Sequence, residues 1–171
     1  MVRRARNEGM LRPILAFVGR FAGAWVAALA ILAVVPAIES WTVSTTIASL
    51  CGLLHLFHTE CIASGPYVKL GGVDLEIVGD CTSLMPTLAL WSAVFAFPAP
   101  RVWKAIGIVA GAIVLWVYNL SRVIAVAVVL RSNPAWFEFV HAYLWQTVTL
   151  GTVLVLFVLW IRVRPAERIA S

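Results

Sequence analysis

Four long apolar runs divide the chain. They cover residues 21–38, 84–99, 105–130 and 139–161. A helix that crosses a bilayer needs about 17 to 25 predominantly apolar residues, so each run predicts a membrane span, and the second run is the shortest. The expected spans lie at about 14–38, 82–99, 103–130 and 137–161. The pattern therefore predicts an all-α integral membrane protein with four transmembrane helices, and a single membrane domain that comprises residues 1–171.

The segment between the first and second spans, at about 39–81, has two different patterns. Between residues 47 and 57, apolar residues recur at spacings of three and four, which predicts a helix in the membrane interface. From Tyr67 onward, apolar and polar residues alternate on both sides of Gly71 and Gly72, which predicts a small β-hairpin with a tight primed turn. The second strand of this hairpin leads to Cys81, at the start of the second span.

The placement of charge predicts an orientation. Most of the thirteen Lys and Arg residues precede the first span, separate the second from the third, or follow the fourth: Arg3, Arg4, Arg6, Arg12, Arg20, Arg101, Lys104, Arg162, Arg164 and Arg168. Because cytoplasmic loops carry an excess of basic residues, we expect both termini in the cytoplasm and the 39–81 segment outside the cytoplasmic (inner) membrane. The net charge of +5 is then a topology signal, and we do not expect nucleic-acid binding.

Composition supports a lipid bilayer as the surroundings of the chain. Hydrophobic residues make up 62% and charged residues 12%, whereas about 25% of the residues of a soluble domain are charged. A cleaved signal peptide that ends near Val35 to Ala37 is an alternative for the first run. That run of 18 residues exceeds the usual 7 to 15 of such a signal, so we expect the first span to be retained.

Three reactive side chains are expected at similar depth near the outer ends of the last three spans. Cys81 precedes the second span, where free amides and the helix dipole stabilise an anion, although Asp80 acts in the other direction. Thr82 or Ser83 can cap the helix that follows. The fourth span carries His141 just inside its outer end.

Arg122 interrupts the third apolar run. Inserting an arginine near a helix centre costs about 2.5 to 3.5 kcal/mol, so this position needs a polar or anionic partner. Asn119 lies three residues earlier on the same helix face and can help to hold the guanidinium group.

Each of these residues alone has an ordinary structural explanation. A buried cysteine packs like a small apolar residue, an arginine can bond to carbonyl groups of a neighbouring helix, and an interfacial histidine belongs to the aromatic belt. In one pocket, however, Cys81, Arg122 and His141 would supply a nucleophile, a cation and a proton shuttle. The imidazole suits proton transfer because its free pKa is about 6.5. No cofactor or metal motif is evident, because His55 and His58 lack further ligands at the usual spacing.

At these residues the chain resembles the exosortase and archaeosortase family of membrane cysteine transpeptidases. The matching positions are Cys81 with its neighbours Asp80, Thr82 and Ser83, then Arg122 with Asn119, then His141. The resemblance covers about the last two thirds of the chain and is closest to short members such as exosortase H. Many members have a glycine soon after the cysteine, where this chain has Ser83 and Leu84, and many have more spans.

The resemblance implies an activity and a class of substrate. Cys81 would attack a peptide carbonyl, Arg122 would stabilise the thiolate or the oxyanion, and His141 would transfer protons. The substrates would be exported proteins that end in a short motif, a transmembrane helix and a basic cluster. Their C-terminal sorting signals would be cleaved through a thioacyl enzyme, and the product would be transferred to an acceptor at the outer face.

Two other functions remain open from the sequence. The first is a membrane thiol-disulfide oxidoreductase, since Cys51, Cys61 and Cys81 are all expected on the outer side, where disulfides form. Against this, there is no Cys-x-x-Cys pair, and three cysteines cannot form two relaying pairs. A disulfide between Cys51 and Cys61 that leaves Cys81 free is compatible with the transpeptidase interpretation. The second is a non-enzymatic assembly or transport subunit, in which Arg122 would be a structural or ligand-binding charge.

Overall fold

A computed structural model describes the backbone of residues 2–163, and the side chains of residues 11–163 except Ala142. The principal elements in chain order are α1 Val2–Val34, α2 Ala37–Leu56, β1 Cys61–Ser64, β2 Tyr67–Leu70, β3 Val73–Glu76, α3 Leu84–Ala96, α4 Arg101–Ser132 and α5 Trp145–Val163. Short 3₁₀ turns at Gly79–Cys81 and Pro134–Trp136 precede α3 and α5, and a π-helical turn at Phe139–Leu144 leads into α5.

Three helical segments of the described residues are long and apolar enough to cross a membrane. They are Leu11–Val34, Arg101–Ser132 and Pro134–Val163, with mean hydropathies of 2.0, 2.1 and 2.0. These segments indicate a membrane protein. Of the basic residues used for orientation, Arg164 and Arg168 lie outside the described residues, as do the side chains of Arg3, Arg4 and Arg6.

Two element boundaries differ from the predicted spans because of proline. The first span was expected to reach residue 38, but α1 ends at Val34 and α2 begins at Ala37, directly after Pro36. Proline lacks an N–H group and disfavours a helical conformation of the residue before it, but it fits the start of the next helix. The second span was expected to reach residue 99, but α3 has 13 residues and ends at Ala96. Phe97 is extended there because it precedes Pro98.

The expected interface helix at 47–57 is part of a longer helix, since α2 begins at Ala37 and ends at Leu56. The predicted hairpin is confirmed. Strands β2 and β3 are antiparallel, with Leu70 opposite Val73, and φ angles of 53° at Gly71 and 89° at Gly72 form the primed turn. Its apolar residues Val68, Leu70, Leu75 and Ile77 are buried, whereas Lys69, Asp74 and Glu76 are exposed.

A third strand, β1, was not predicted. It pairs antiparallel with β2 and completes a sheet of order β1-β2-β3. Only Cys61 of its four residues is buried, so the strand lacks the alternation by which sequence patterns reveal strands. A disulfide between Cys51 of α2 and Cys61 anchors it, and Cys81 is free. The disulfide that the sequence left open is therefore confirmed.

Two apolar clusters form the core of the described residues. In the first, the buried face of the sheet packs against α2 and α4 through Ile47, Leu50, Leu120, Val123 and Ala127. In the second, α3 packs against α4 and α5 through Leu90, Val94, Leu115 and Val153. Helix α3 also contacts α1, so three helices surround it. Cys81 immediately precedes α3 and packs against the cluster that contains the sheet.

Candidate active site

Two hydrogen bonds hold the backbone of Cys81 in place. Its N–H group donates to the carbonyl oxygen of Val78 at 2.8 Å, which closes the 3₁₀ turn. Its own carbonyl oxygen accepts a hydrogen bond of 2.8 Å from Nδ2 of Asn119, which is 3% exposed. The sequence predicted that Asn119 can help to hold the guanidinium of Arg122. In the structure its amide nitrogen donates to the Cys81 backbone and so fixes the chain at the thiol.

Thr82, and not Ser83, stabilises the start of α3. The Thr82 hydroxyl is buried, donates to the Gly79 carbonyl oxygen at 2.7 Å and accepts a 3.3 Å hydrogen bond from the Leu84 N–H group. Ser83 occupies the cap position but makes no capping hydrogen bond. It lines a large apolar groove of about 770 Å³ between α1, α2, α3 and α4, so the structure does not bring Ser83 to the site.

Arg122 reaches from α4 to the turn that contains Cys81. Its Nη1 donates to the carbonyl oxygen of Asp80 at 3.2 Å. The guanidinium group has five N–H donors in a planar fork, so this bond leaves further donors to face the cavity. The half-buried side chain is thus held at the turn that contains Cys81 by a backbone oxygen, while the Asp80 side chain is exposed.

His141 lies in the π-helical turn that leads into α5. Its ring stacks on that of Phe137, with centroids 5.4 Å apart and planes 5° apart. Its Nδ1 atom is buried and has no hydrogen-bond partner among the described residues. The Arg122 guanidinium and the Asp80 carboxylate both act electrostatically on the imidazole. A stacked ring with a free nitrogen beside a fixed cation is suited to proton transfer.

Cys81, Arg122 and His141 line one cavity of about 420 Å³. A second cavity of about 460 Å³ is bounded by Arg122 and His141 as well, and includes Asp80 and Thr82. Arg122 and His141 thus form the wall between the two cavities. The structure brings the three predicted reactive residues together, places Asp80 and Thr82 on the adjoining side, and puts Asn119 behind the Cys81 backbone.

Sequence patterns missed several residues of this site. Phe137 supports His141 and lies four residues before it, a helical spacing that could have revealed the pair. Asp74 and Glu76 line the cavity that contains Cys81, but in the sequence they are only the polar side of a hairpin. Gln146 lines the second cavity, and no signal distinguished it from an ordinary polar residue of a span.

Chemically, the cavity combines a thiol, a guanidinium group and an imidazole. A thiolate attacks carbonyl carbons, a fixed cation stabilises the oxyanion that develops, and an imidazole donates or accepts the proton. Comparison with protein-family models, with curated proteins and with solved structures gives no match for the chain. The resemblance to exosortases therefore stays a prediction.

Proposed function

We propose that the protein is a membrane-embedded cysteine peptidase and transpeptidase of the exosortase type. The observation that supports this most strongly is that Cys81, Arg122 and His141, which come from three separate segments of the chain, line a single cavity. The cavity has a volume of about 420 Å³, within the range of about 300 to 1,000 Å³ that is usual for ligand pockets.

The proposed reaction has two steps. In the first, Sγ of Cys81 attacks the carbonyl carbon of a peptide bond, His141 takes the thiol proton, and Arg122 stabilises the oxyanion. The carbon–nitrogen bond then breaks, His141 protonates the leaving amine, and a thioester on Cys81 remains. In the second step, an acceptor amine or water attacks the thioester, His141 takes its proton, and the Cys81 thiol is restored.

The proposal includes four passes through the cytoplasmic membrane, with both termini in the cytoplasm. The aromatic ring of Phe97, just after α3, lies 6.5 Å from that of Phe17 in α1, 6.0 Å from Phe157 and 5.8 Å from Trp160 in α5. The end of α3 is thus beside the early part of α1 and the late part of α5, far along the bundle from Cys81.

Length also permits α3 to cross. Thirteen helical residues span about 20 Å at 1.5 Å per residue. Residues 97–100, of which Phe97 and Pro100 are extended, continue the chain beyond α3. The helix alone covers about two thirds of the roughly 30 Å of a hydrocarbon core, and local thinning of the bilayer accommodates a short span. In this arrangement the site opens at the extracytoplasmic face, and exported proteins with a C-terminal motif, a transmembrane helix and a basic cluster are the substrates.

The disulfide counts against a thiol-disulfide oxidoreductase. Cys51 and Cys61 are bonded to each other and Cys81 is free, so no cysteine of the chain is left to form a second pair with Cys81. Electron relay between two dithiol pairs needs four cysteines, whereas the chain has three. A single free thiol in a cavity that also holds a guanidinium group and an imidazole fits acyl transfer.

Co-expression with exported proteins of the proposed class tests the function. Unmodified protein is expected to shorten its substrate by the C-terminal helix and basic cluster, as followed by gel mobility and mass. Cys81→Ala is expected to abolish the processing, because no other thiol and no hydroxyl group lines the described cavity that contains Arg122 and His141. Processing at the normal rate by Cys81→Ala would refute the proposal.

A further inference from the structure

Strand β3 is the edge of the sheet that borders the site. The strand order is β1-β2-β3, and no other described strand pairs with β3. Five consecutive residues, 74–78, line the cavity that contains Cys81. Successive side chains of a strand point to opposite faces, so consecutive residues line one cavity only if the strand presents its edge to it.

The hydrogen-bond register identifies which backbone groups face the cavity. The Ile77 N–H group donates to the Pro66 carbonyl oxygen at 2.8 Å, and Leu75 and Val73 lie opposite Val68 and Leu70 in the same register. Alternate residues of an antiparallel strand bond to the same neighbour, so residues 73, 75 and 77 bond toward β2. The N–H and C=O groups of Asp74 and Glu76 therefore point away from β2, at the free edge.

The rest of the cavity suits an extended chain. Opposite the strand edge, α4 contributes the apolar side chains of Val123, Val126 and Leu130, and the cavity continues to Cys81. Backbone donors and acceptors are costly to leave unpaired in an apolar setting. A peptide strand satisfies an edge of alternating N–H and C=O groups, and can direct alternate side chains toward an apolar wall.

We propose that β3 recognises the substrate through its backbone: an extended peptide segment pairs with the free edge of β3 as a fourth strand and so delivers its carbonyl group to Cys81. Recognition of this kind adds affinity from main-chain hydrogen bonds and tolerates many side chains. The role as substrate rests on the proposed function, but the binding of an extended peptide beside Cys81 is measurable without any turnover.

Affinity labelling of the full chain in detergent micelles tests the proposal. The probe is a bromoacetyl tetrapeptide amide of alternating valine and serine, and bromoacetamide is the reference reagent. With either reagent the Cys81 sulfur displaces bromide, a carbon–sulfur bond forms, and the thiol proton passes to buffer. Since Cys51 and Cys61 are disulfide-bonded, intact mass reports alkylation of Cys81 directly.

The peptide probe is expected to alkylate Cys81 at least about tenfold faster than bromoacetamide, which two net main-chain hydrogen bonds can supply. The same peptide with alternate amides N-methylated loses donors on one edge, and its rate is expected to fall to that of bromoacetamide. This comparison uses the unmodified protein, so it needs no folded variant.

A matched pair of proline variants tests the strand itself. Glu76→Pro removes an N–H group that faces the cavity and no ladder bond, and proline is tolerated at such edge positions. Ala63→Pro removes the corresponding N–H group on β1, the opposite edge, and Glu76→Ala removes the carboxylate from the cavity but keeps the N–H group. Ala63 lies opposite Val68, and Val68 bonds toward β3, so the Ala63 N–H group also points away from β2.

Compared with Glu76→Ala, Glu76→Pro is expected to slow the peptide probe about tenfold at the same bromoacetamide rate. Ala63→Pro is expected to leave both rates of the unmodified protein as they are. Equal rates for the peptide and its N-methylated form on the unmodified protein would overturn the proposal, whatever the fold of the variants. Equal peptide rates in Glu76→Pro and Glu76→Ala, with equal bromoacetamide rates, would overturn it as well. A failure of substrate processing with these rates as expected would instead overturn the proposed function alone.

Discussion

Arg122 is the single charged residue between Lys104 and Arg131 in the sequence of α4. Such a residue is identifiable from sequence because a charge in an apolar run is costly, and the cost implies a partner. The partner itself is not identifiable. Arg122 binds the Asp80 carbonyl oxygen and Asn119 binds the Cys81 carbonyl oxygen, and since every residue has a carbonyl group, composition gives no sign of which one is used.

The position of Arg122 leads to a prediction about rate. Arg122→Gln removes the cation beside Cys81 and is expected to lower substrate processing by about 10²- to 10³-fold, the usual effect of losing one oxyanion donor. Arg122→Lys keeps the charge but not the planar fork that reaches Asp80, so an intermediate rate is expected. The measurement is the initial rate of substrate cleavage at matched protein levels.

The matched control for this change is Arg131→Gln, at the exposed end of the same helix. Arg131 lies near Gly71, outside the cavity that contains Cys81, and its substitution is expected to leave the rate unchanged. Equal effects of the two substitutions would mean that Arg122 contributes only general positive charge.

At the scale of elements, periodicity determined what the sequence could predict. The β2–β3 hairpin follows from alternation around Gly71 and Gly72, whose positive φ angles only glycine adopts readily. Strand β1 has no such alternation. It is held by pairing with β2 and by a disulfide to α2, and neither is visible in the sequence pattern. The π-helical turn that carries His141 was also beyond prediction, because no sequence pattern marks a single wide turn.

The disulfide between Cys51 and Cys61 leads to a prediction about stability. Replacing Cys51 and Cys61 together by serine is expected to lower the free energy of unfolding by about 2 to 4 kcal/mol, mainly by releasing a constraint on the unfolded chain. Thermal unfolding in detergent, with and without a thiol reductant, is the measurement. Reductant should lower the melting temperature of the unmodified protein and leave the double variant unchanged.

Cys81→Ser serves as the control for this experiment, because Cys81 is free. Its melting temperature should match that of the unmodified protein and should respond to reductant in the same way. If the double variant melts at the temperature of the unmodified protein, the disulfide does not anchor β1.

At the scale of the whole molecule, hydropathy predicted a membrane protein, and three described helices are long and apolar enough to span. The number of passes depends on α3, which is short because Phe97 precedes a proline. Hydropathy measures how apolar a segment is and does not show where its helix ends. It therefore could not show that α3 stops after 13 residues.

Four passes predict that both termini lie on the same side. A reporter that is active only in the cytoplasm is expected to be active when it is fused after residue 163 or before residue 11. A reporter that is active only outside the cytoplasm is expected to be inactive at both places. A fusion within the loop at 57–60 is expected to have the opposite response. Termini on opposite sides would mean that α3 does not cross, and that the three long helices alone form the spans.

The most direct test of the central claim is a trapped intermediate on Cys81. The protein, co-expressed with an exported substrate of the proposed class, is isolated quickly in acid, and its intact mass is measured before and after treatment with neutral hydroxylamine. We predict an added mass equal to the shortened substrate, bound to Cys81 and released by hydroxylamine, and absent from Cys81→Ala. Substrate that is processed while Cys81 never carries such an adduct would contradict the account.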